Sequence, residues 1–123
     1  MTLLYIAAGA VLGAPLRYLL QARVQDIAGP GFPWGTFAVN VTGCLVVGFL
    51  ATLAAERGAL DREARLFLLT GFLGSYTTFS TFGWETVELL RDDRVIRAVA
   101  YVMLSCGTGV LAAWVGSLLA RPA

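Results

Sequence analysis

Residues 71–83 read Gly-Phe-Leu-Gly-Ser-Tyr-Thr-Thr-Phe-Ser-Thr-Phe-Gly, inside the uncharged window 66–84. The window is long enough for a membrane helix. Yet eight of these thirteen residues are Gly, Ser or Thr. Such a run has low helix propensity, and its hydroxyls compete for backbone hydrogen bonds. Lipid offers a freed backbone group no partner, so a break in a span must be buried in protein or line a wet cavity. A break of this kind exposes carbonyls that hold a cation and N–H groups that meet an anion. Close helix packing through small residues is the other reading. The stretch alone leaves both open.

On either side lie three further uncharged windows: 1–16, continuing past Arg17 to about Ala22, then 27–55 and 98–120. The expected fold is an all-α membrane protein, a single four-helix transmembrane domain over 1–123. Its spans are 3–22, 35–55, 66–90 broken near 74–78, and 97–119. The short alternating segments of a membrane β-barrel are absent. Connections are brief. Arg23 to Trp34 holds Gly29, Pro30, Gly31 and Pro33 and reads as a loop, with Trp34 at the headgroup level. Glu56–Arg65 and Arg91–Arg97 are charged. No basic residue precedes the first apolar run, so the N-terminus does not read as a cleavable signal.

Composition agrees. Of 123 residues, 58% are hydrophobic and only 14% charged, and the mean hydropathy is +0.74. A soluble domain this small leaves too much of its chain exposed to tolerate that, and disordered chains are poor in apolar residues. There is no His, and the net charge is +1. No basic face suggests nucleic acid. No nucleophile stands beside a base, so an enzyme is not expected. Cys44 and Cys106 lie in apolar runs without zinc-ligand spacing.

Polar residues inside the spans fall on stripes. Thr36 and Asn40 are one turn apart, with Gly43 next on that face. Tyr101, Ser105 and Thr108 follow helical spacing, as do Phe79, Phe82 and Glu85. Each alone reads as an interhelical hydrogen bond or packing contact. Jointly they suggest a polar track through the bundle. Hydroxyl and amide donors without an acidic ring favour a small anion, and a Phe ring turns a positive edge toward one. Glu85 and Arg17 stand near span ends, where either side chain snorkels.

The arginines carry a different message. Arg57, Arg62, Arg65 and Arg121 fall on one side of the four-span arrangement. Arg23, Arg91, Arg94 and Arg97 fall on the other. The positive-inside rule reads such a bias to set orientation, and here there is almost none. Either other features orient the chain, or it inserts both ways up and pairs with its inverted twin.

These stretches resemble the CrcB/Fluc family of small fluoride channels. The resemblance rests on Gly9-Ala-Val-Leu-Gly-Ala-Pro-Leu-Arg-Tyr18, Pro33-Trp-Gly-Thr-Phe-Ala-Val-Asn-Val-Thr-Gly43 and Gly71-Phe-Leu-Gly-Ser-Tyr-Thr-Thr-Phe-Ser-Thr-Phe82. Thr-Thr-Phe-Ser-Thr-Phe is the most specific part. Gly9-Ala10 stands where the family often has two glycines, and Ser75-Tyr76 where a small and an apolar residue are usual. The resemblance implies a dual-topology homodimer of antiparallel subunits in the plasma membrane, with two fluoride pores. It implies that Asn40, Phe79, Phe82, Tyr101 and Ser105 contact or gate the ion path. Thr36 and Thr81 would contribute hydroxyls, Glu85 would lie by a vestibule, and Arg17 near a pore mouth. It also implies a central, non-transported sodium ion held by the backbone carbonyls of Gly74 and Thr77 from both subunits.

Two other functions compete. A small multidrug or guanidinium proton-coupled exporter is also a four-helix dual-topology dimer, but it needs a membrane-embedded carboxylate. The first span here has no Asp or Glu. An assembly subunit packed through Gly9-xxx-Gly13 leaves the polar track unexplained.

Overall fold

The computed structural model describes residues 1–122 and is helical, with no strand among the described residues. Helix α1 spans Thr2–Ala28. It runs through Arg23 and Asp26, which the sequence reading assigned to a loop. Charged residues near a membrane surface do not interrupt a helix, whereas Gly29, at φ 85°, does. The connection is therefore only residues 29–33. The Gln25 side chain organises it: Nε2 donates to the carbonyls of Gly29 (2.8 Å) and Phe32 (3.0 Å), and Oε1 accepts from Gly35 N–H (3.2 Å). That last bond satisfies one of the free amides at the start of α2, Trp34–Glu56, whose N-cap Pro33 has no side-chain acceptor.

The next membrane-length stretch is assembled from pieces. A single turn, α3 (Arg62–Arg65), is capped by Asp61, whose carboxylate accepts from Ala64 N–H at 2.8 Å. It passes into a π-helical segment, Leu66–Leu73, and then α4, Gly74–Tyr76. Thr77 to Phe79 lie outside helix, with Thr77 extended at φ −88°, ψ 160°. Helix α5 (Ser80–Arg91) follows. A turn through Asp93, at φ 59°, leads to α6, Val95–Ala120.

Helices α1, α2 and α6 are long and apolar enough to cross a membrane. Their outward faces carry Val11, Leu19, Ile96, Val110 and Leu119, all exposed. Water would not tolerate that surface, but lipid is as apolar as leucine. The chain is a multi-pass membrane protein.

Without a hydrophobic drive between helices in lipid, close backbone approach holds the bundle. Helix α1 lies on the π-helical segment: a Cβ added to Gly9 would run into Phe67 O and Phe72 N. A Cβ added to Gly13 would strike Phe72 O and Ser75 Oγ. Helix α2 lies on α6 in the same way, through Gly48 and Gly116. Two small apolar clusters fill the interior. One comprises Val39, Leu73 and Tyr76, and the other Leu89, Ala98 and Tyr101. Tyr76, the bulky residue beside the interruption, is absorbed by the first. Its ring stacks on Phe72, and its hydroxyl is 2.8 Å from Thr42 Oγ1.

Candidate functional site

The interruption between α4 and α5 is held open by side chains. Asn40 on α2 faces Thr78 and exchanges two hydrogen bonds with its main chain. Nδ2 donates to Thr78 O (2.9 Å), and Thr78 N–H donates to Oδ1 (2.8 Å). Thr78 Oγ1 accepts from Thr81 N–H (3.3 Å) and donates to Thr81 Oγ1 (3.1 Å). In an uninterrupted helix those two amides would point back four residues. Thr78 N–H would reach the carbonyl of Gly74, and Thr81 N–H that of Thr77. Both donors are diverted. The Gly74 and Thr77 carbonyls, which the family resemblance implies as sodium ligands, therefore lack these two helical donors. Both residues line a cavity of about 300 Å³ with Asn40, Thr78 and Phe79. Carbonyl oxygens suit a hard cation. No group of three or more carboxylate, imidazole or thiolate side chains converges among the described residues.

From the interruption an aromatic line runs inward. Phe79 is 81% exposed on the chain surface. Its ring centroid is 5.7 Å from that of Phe82, which is 4.9 Å from Tyr101 at 60°. Tyr101 is fully buried, and its hydroxyl donates to Glu85 Oε1 at 3.1 Å. Ser105, one turn further along α6, has a buried Oγ with no hydrogen-bond partner. Buried polar groups are ordinarily paired, so this hydroxyl stands out from its surroundings.

Thr36 belongs to a second cavity, of about 270 Å³, with Tyr18, Gln21, Gln25 and Glu85. Its hydroxyl oxygen accepts from Gln21 Nε2 at 2.9 Å. Asn40, Thr81, Gly74 and Thr77 thus gather at the interruption. Phe79, Phe82, Tyr101 and Glu85 form a connected line, and Glu85 joins Thr36 across the second cavity. Arg17 lines neither cavity; its Nε is buried and unpartnered. The sequence reading missed Gln21 and Gln25. Their one-turn spacing on α1 was a usable signal, hidden by placing the helix end before Gln25.

The site therefore pairs backbone carbonyls at the interruption with hydroxyl and amide donors and aromatic rings, in a membrane-embedded chain. The family described as CrcB-like protein, camphor resistance (CrcB), matches residues 4–117. A fluoride-specific ion channel FluC of Rhizobium meliloti (strain 1021) is 43% identical over 119 residues, covering 97% of this chain and 95% of the relative. The protein of that name in Geobacter sulfurreducens is 42% identical over 120 residues, covering 98% and 97%. That of Flavobacterium psychrophilum is 37% identical over 120 residues, with the same coverage. Near-complete overlap at such identity leaves one assignment: this chain is a plasma-membrane protein belonging to the CrcB family.

Proposed function

We propose that the chain is a passive fluoride channel that lets fluoride leave the cytoplasm. Its relatives' names supply the ion. The observation that carries the path is the line from Asn40 and the interruption through Phe79, Phe82 and Tyr101 to Glu85. Fluoride is strongly hydrated, so a pore must replace its water with N–H and O–H donors. Asn40, Thr36, Thr81, Tyr101 and Ser105 supply that chemistry, and the Phe79 and Phe82 rings offer positive edges. Glu85 stands at a vestibule. Arg17 is assigned to a mouth, where its charge attracts anions. An inside-negative potential drives anion exit by roughly 2.3 kcal/mol per 100 mV, so no coupling ion is needed.

The proposed assembly is an antiparallel pair of four-span chains, the third span being the interrupted stretch. Phe79 and Gly74 are exposed on a single chain, where another copy would enclose them. Two copies meeting at a two-fold axis bring together four carbonyls, from Gly74 and Thr77 of each. That donor set fits a structural sodium ion. The support is the diversion of the Thr78 and Thr81 amides away from those carbonyls.

Purified protein in liposomes tests the reading. Fluoride efflux without a proton requirement is expected. Trapped fluoride together with guanidinium exchange for protons would overturn it in favour of an exporter.

A further inference from the structure

Threonines inside helices usually turn their hydroxyl back onto the carbonyl one turn earlier. Two helical threonines in this chain do so, and so does Thr77 at the end of α4. Thr42 donates to Ala38 O, Thr77 to Leu73 O and Thr86 to Phe82 O. Thr36 does not, although it is only 2% exposed. Its oxygen accepts from Gln21 Nε2. The carbonyl it would otherwise turn back to is Phe32 O. That oxygen already accepts from Gln25 Nε2 (3.0 Å) and Trp34 N–H (2.9 Å), which uses both lone pairs. The next carbonyl, Pro33 O, accepts from Phe37 N–H.

A hydroxyl has one proton and two acceptor positions. Gln21 fills an acceptor position and cannot take the proton, because its amide nitrogen only donates. Gln25 and Trp34 close the outlet at Phe32 O, and Phe37 N–H takes one of the two lone pairs of Pro33 O. The acceptors left near the Thr36 proton are the neighbouring Tyr101 hydroxyl oxygen and the cavity that Thr36, Gln21 and Gln25 line opposite Glu85.

We propose that Gln21 and Gln25, one turn apart on α1, are positioning residues that commit the Thr36 hydroxyl to donate into this cavity. They make Thr36 an obligate donor for whatever acceptor occupies it: the Glu85 carboxylate at rest, a passing anion during conduction. The inference rests on the fluoride-channel reading for the identity of that anion. The reversed arrangement, an acceptor at position 21, would draw the proton away and leave a lone pair facing the anion.

The experiment is fluoride efflux from liposomes, measured against internal fluoride concentration. Gln21→Leu and Gln21→Glu variants are compared with Thr36→Val, Thr36→Ser and the Gln21→Leu/Thr36→Val double variant. Losing one oriented donor is expected to lower flux about tenfold at low fluoride in Gln21→Leu and Thr36→Val, with less effect at saturation. Gln21→Glu is expected to lose more than Gln21→Leu, and Thr36→Ser, which keeps the hydroxyl, to retain more flux than Thr36→Val. The double variant is expected to be no worse than the worse single change, because Gln21 acts through Thr36. Circular dichroism and elution volume identify any variant that has misfolded, and Gln21→Met then replaces Gln21→Leu. A conducting parent with parent-like Gln21→Leu, or multiplicative losses in the double variant, overturns the assignment while the channel stands. A parent that moves no fluoride overturns both.

Discussion

Asn40 takes the place of two main-chain hydrogen bonds with one side-chain amide, and its donor and acceptor each meet Thr78 within 3 Å. Thr78 is buried, so removing the amide strands an N–H and a C=O together. Each stranded group costs roughly 1–3 kcal/mol. Asn40→Leu, which keeps the branching but is larger and apolar, is expected to destabilise the protein by about 2–6 kcal/mol in thermal unfolding, and to abolish fluoride flux. Asn40→Asp keeps the acceptor for Thr78 N–H and loses the donor to Thr78 O, so it should fall between parent and Leu in stability. A Leu variant as stable as the parent would show that residues 77–79 stay open without Asn40. The same residue shows what a sequence conveys at this scale. Its type and its turn spacing from Thr36 marked it as part of a polar stripe. Its partner, thirty-eight positions away, is fixed only by how α2 lies against the interruption.

At the scale of elements, the long helices were legible because lipid imposes one rule on every residue of a span. That rule gave α2 and α6 nearly to their ends and α1 up to its charged last turns. Ala28 rather than 22 ends α1 because Gly29, at φ 85°, stops the helix and the charges do not. The interrupted stretch was legible in composition and not in form. Gly, Ser and Thr mark weak helix propensity, but a π-helical run over Leu66–Leu73 answers to a neighbour, not to its own sequence. Helix α1 lies directly on it. Gly9 meets Phe67 O and Phe72 N, so its missing side chain is what allows the wide turn to sit there. Gly9→Ala has to push backbone aside and is expected to cost about 1–3 kcal/mol in unfolding stability. Gly107→Ala on α6 meets nothing within the chain. It should be neutral or stabilising by up to about 1 kcal/mol. A loss at Gly107 would mark a contact with another copy, and an unaffected Gly9→Ala would show that α1 and the π-helical segment slide freely.

For the whole molecule, the balance of arginines between the two sides and the incompleteness of the single chain bear on the same proposal. Gly74 and Phe79 are exposed, although Gly74 carries a carbonyl without its helical donor and Phe79 begins the aromatic line. In lipid, such a carbonyl is costly unless something covers it. In the proposed assembly an inverted second copy would cover it and double the donor set, and a sodium ion between the copies would satisfy four carbonyls at once. A ligand that binds only the assembled state stabilises it by mass action, by about 2.7 kcal/mol at a hundred times its dissociation constant. Unfolding of the detergent-solubilised dimer should therefore shift to higher temperature as sodium replaces choline at constant ionic strength. Fluoride flux should fall when sodium is removed. Choline leaves surface electrostatics screened to the same degree, so a shift that follows sodium reports a site and not ionic strength. A protein that stays dimeric, equally heat-resistant and fully conducting in rigorously sodium-free choline would remove the ion from Gly74 and Thr77. Those carbonyls would then have to be closed by contact between the two copies alone.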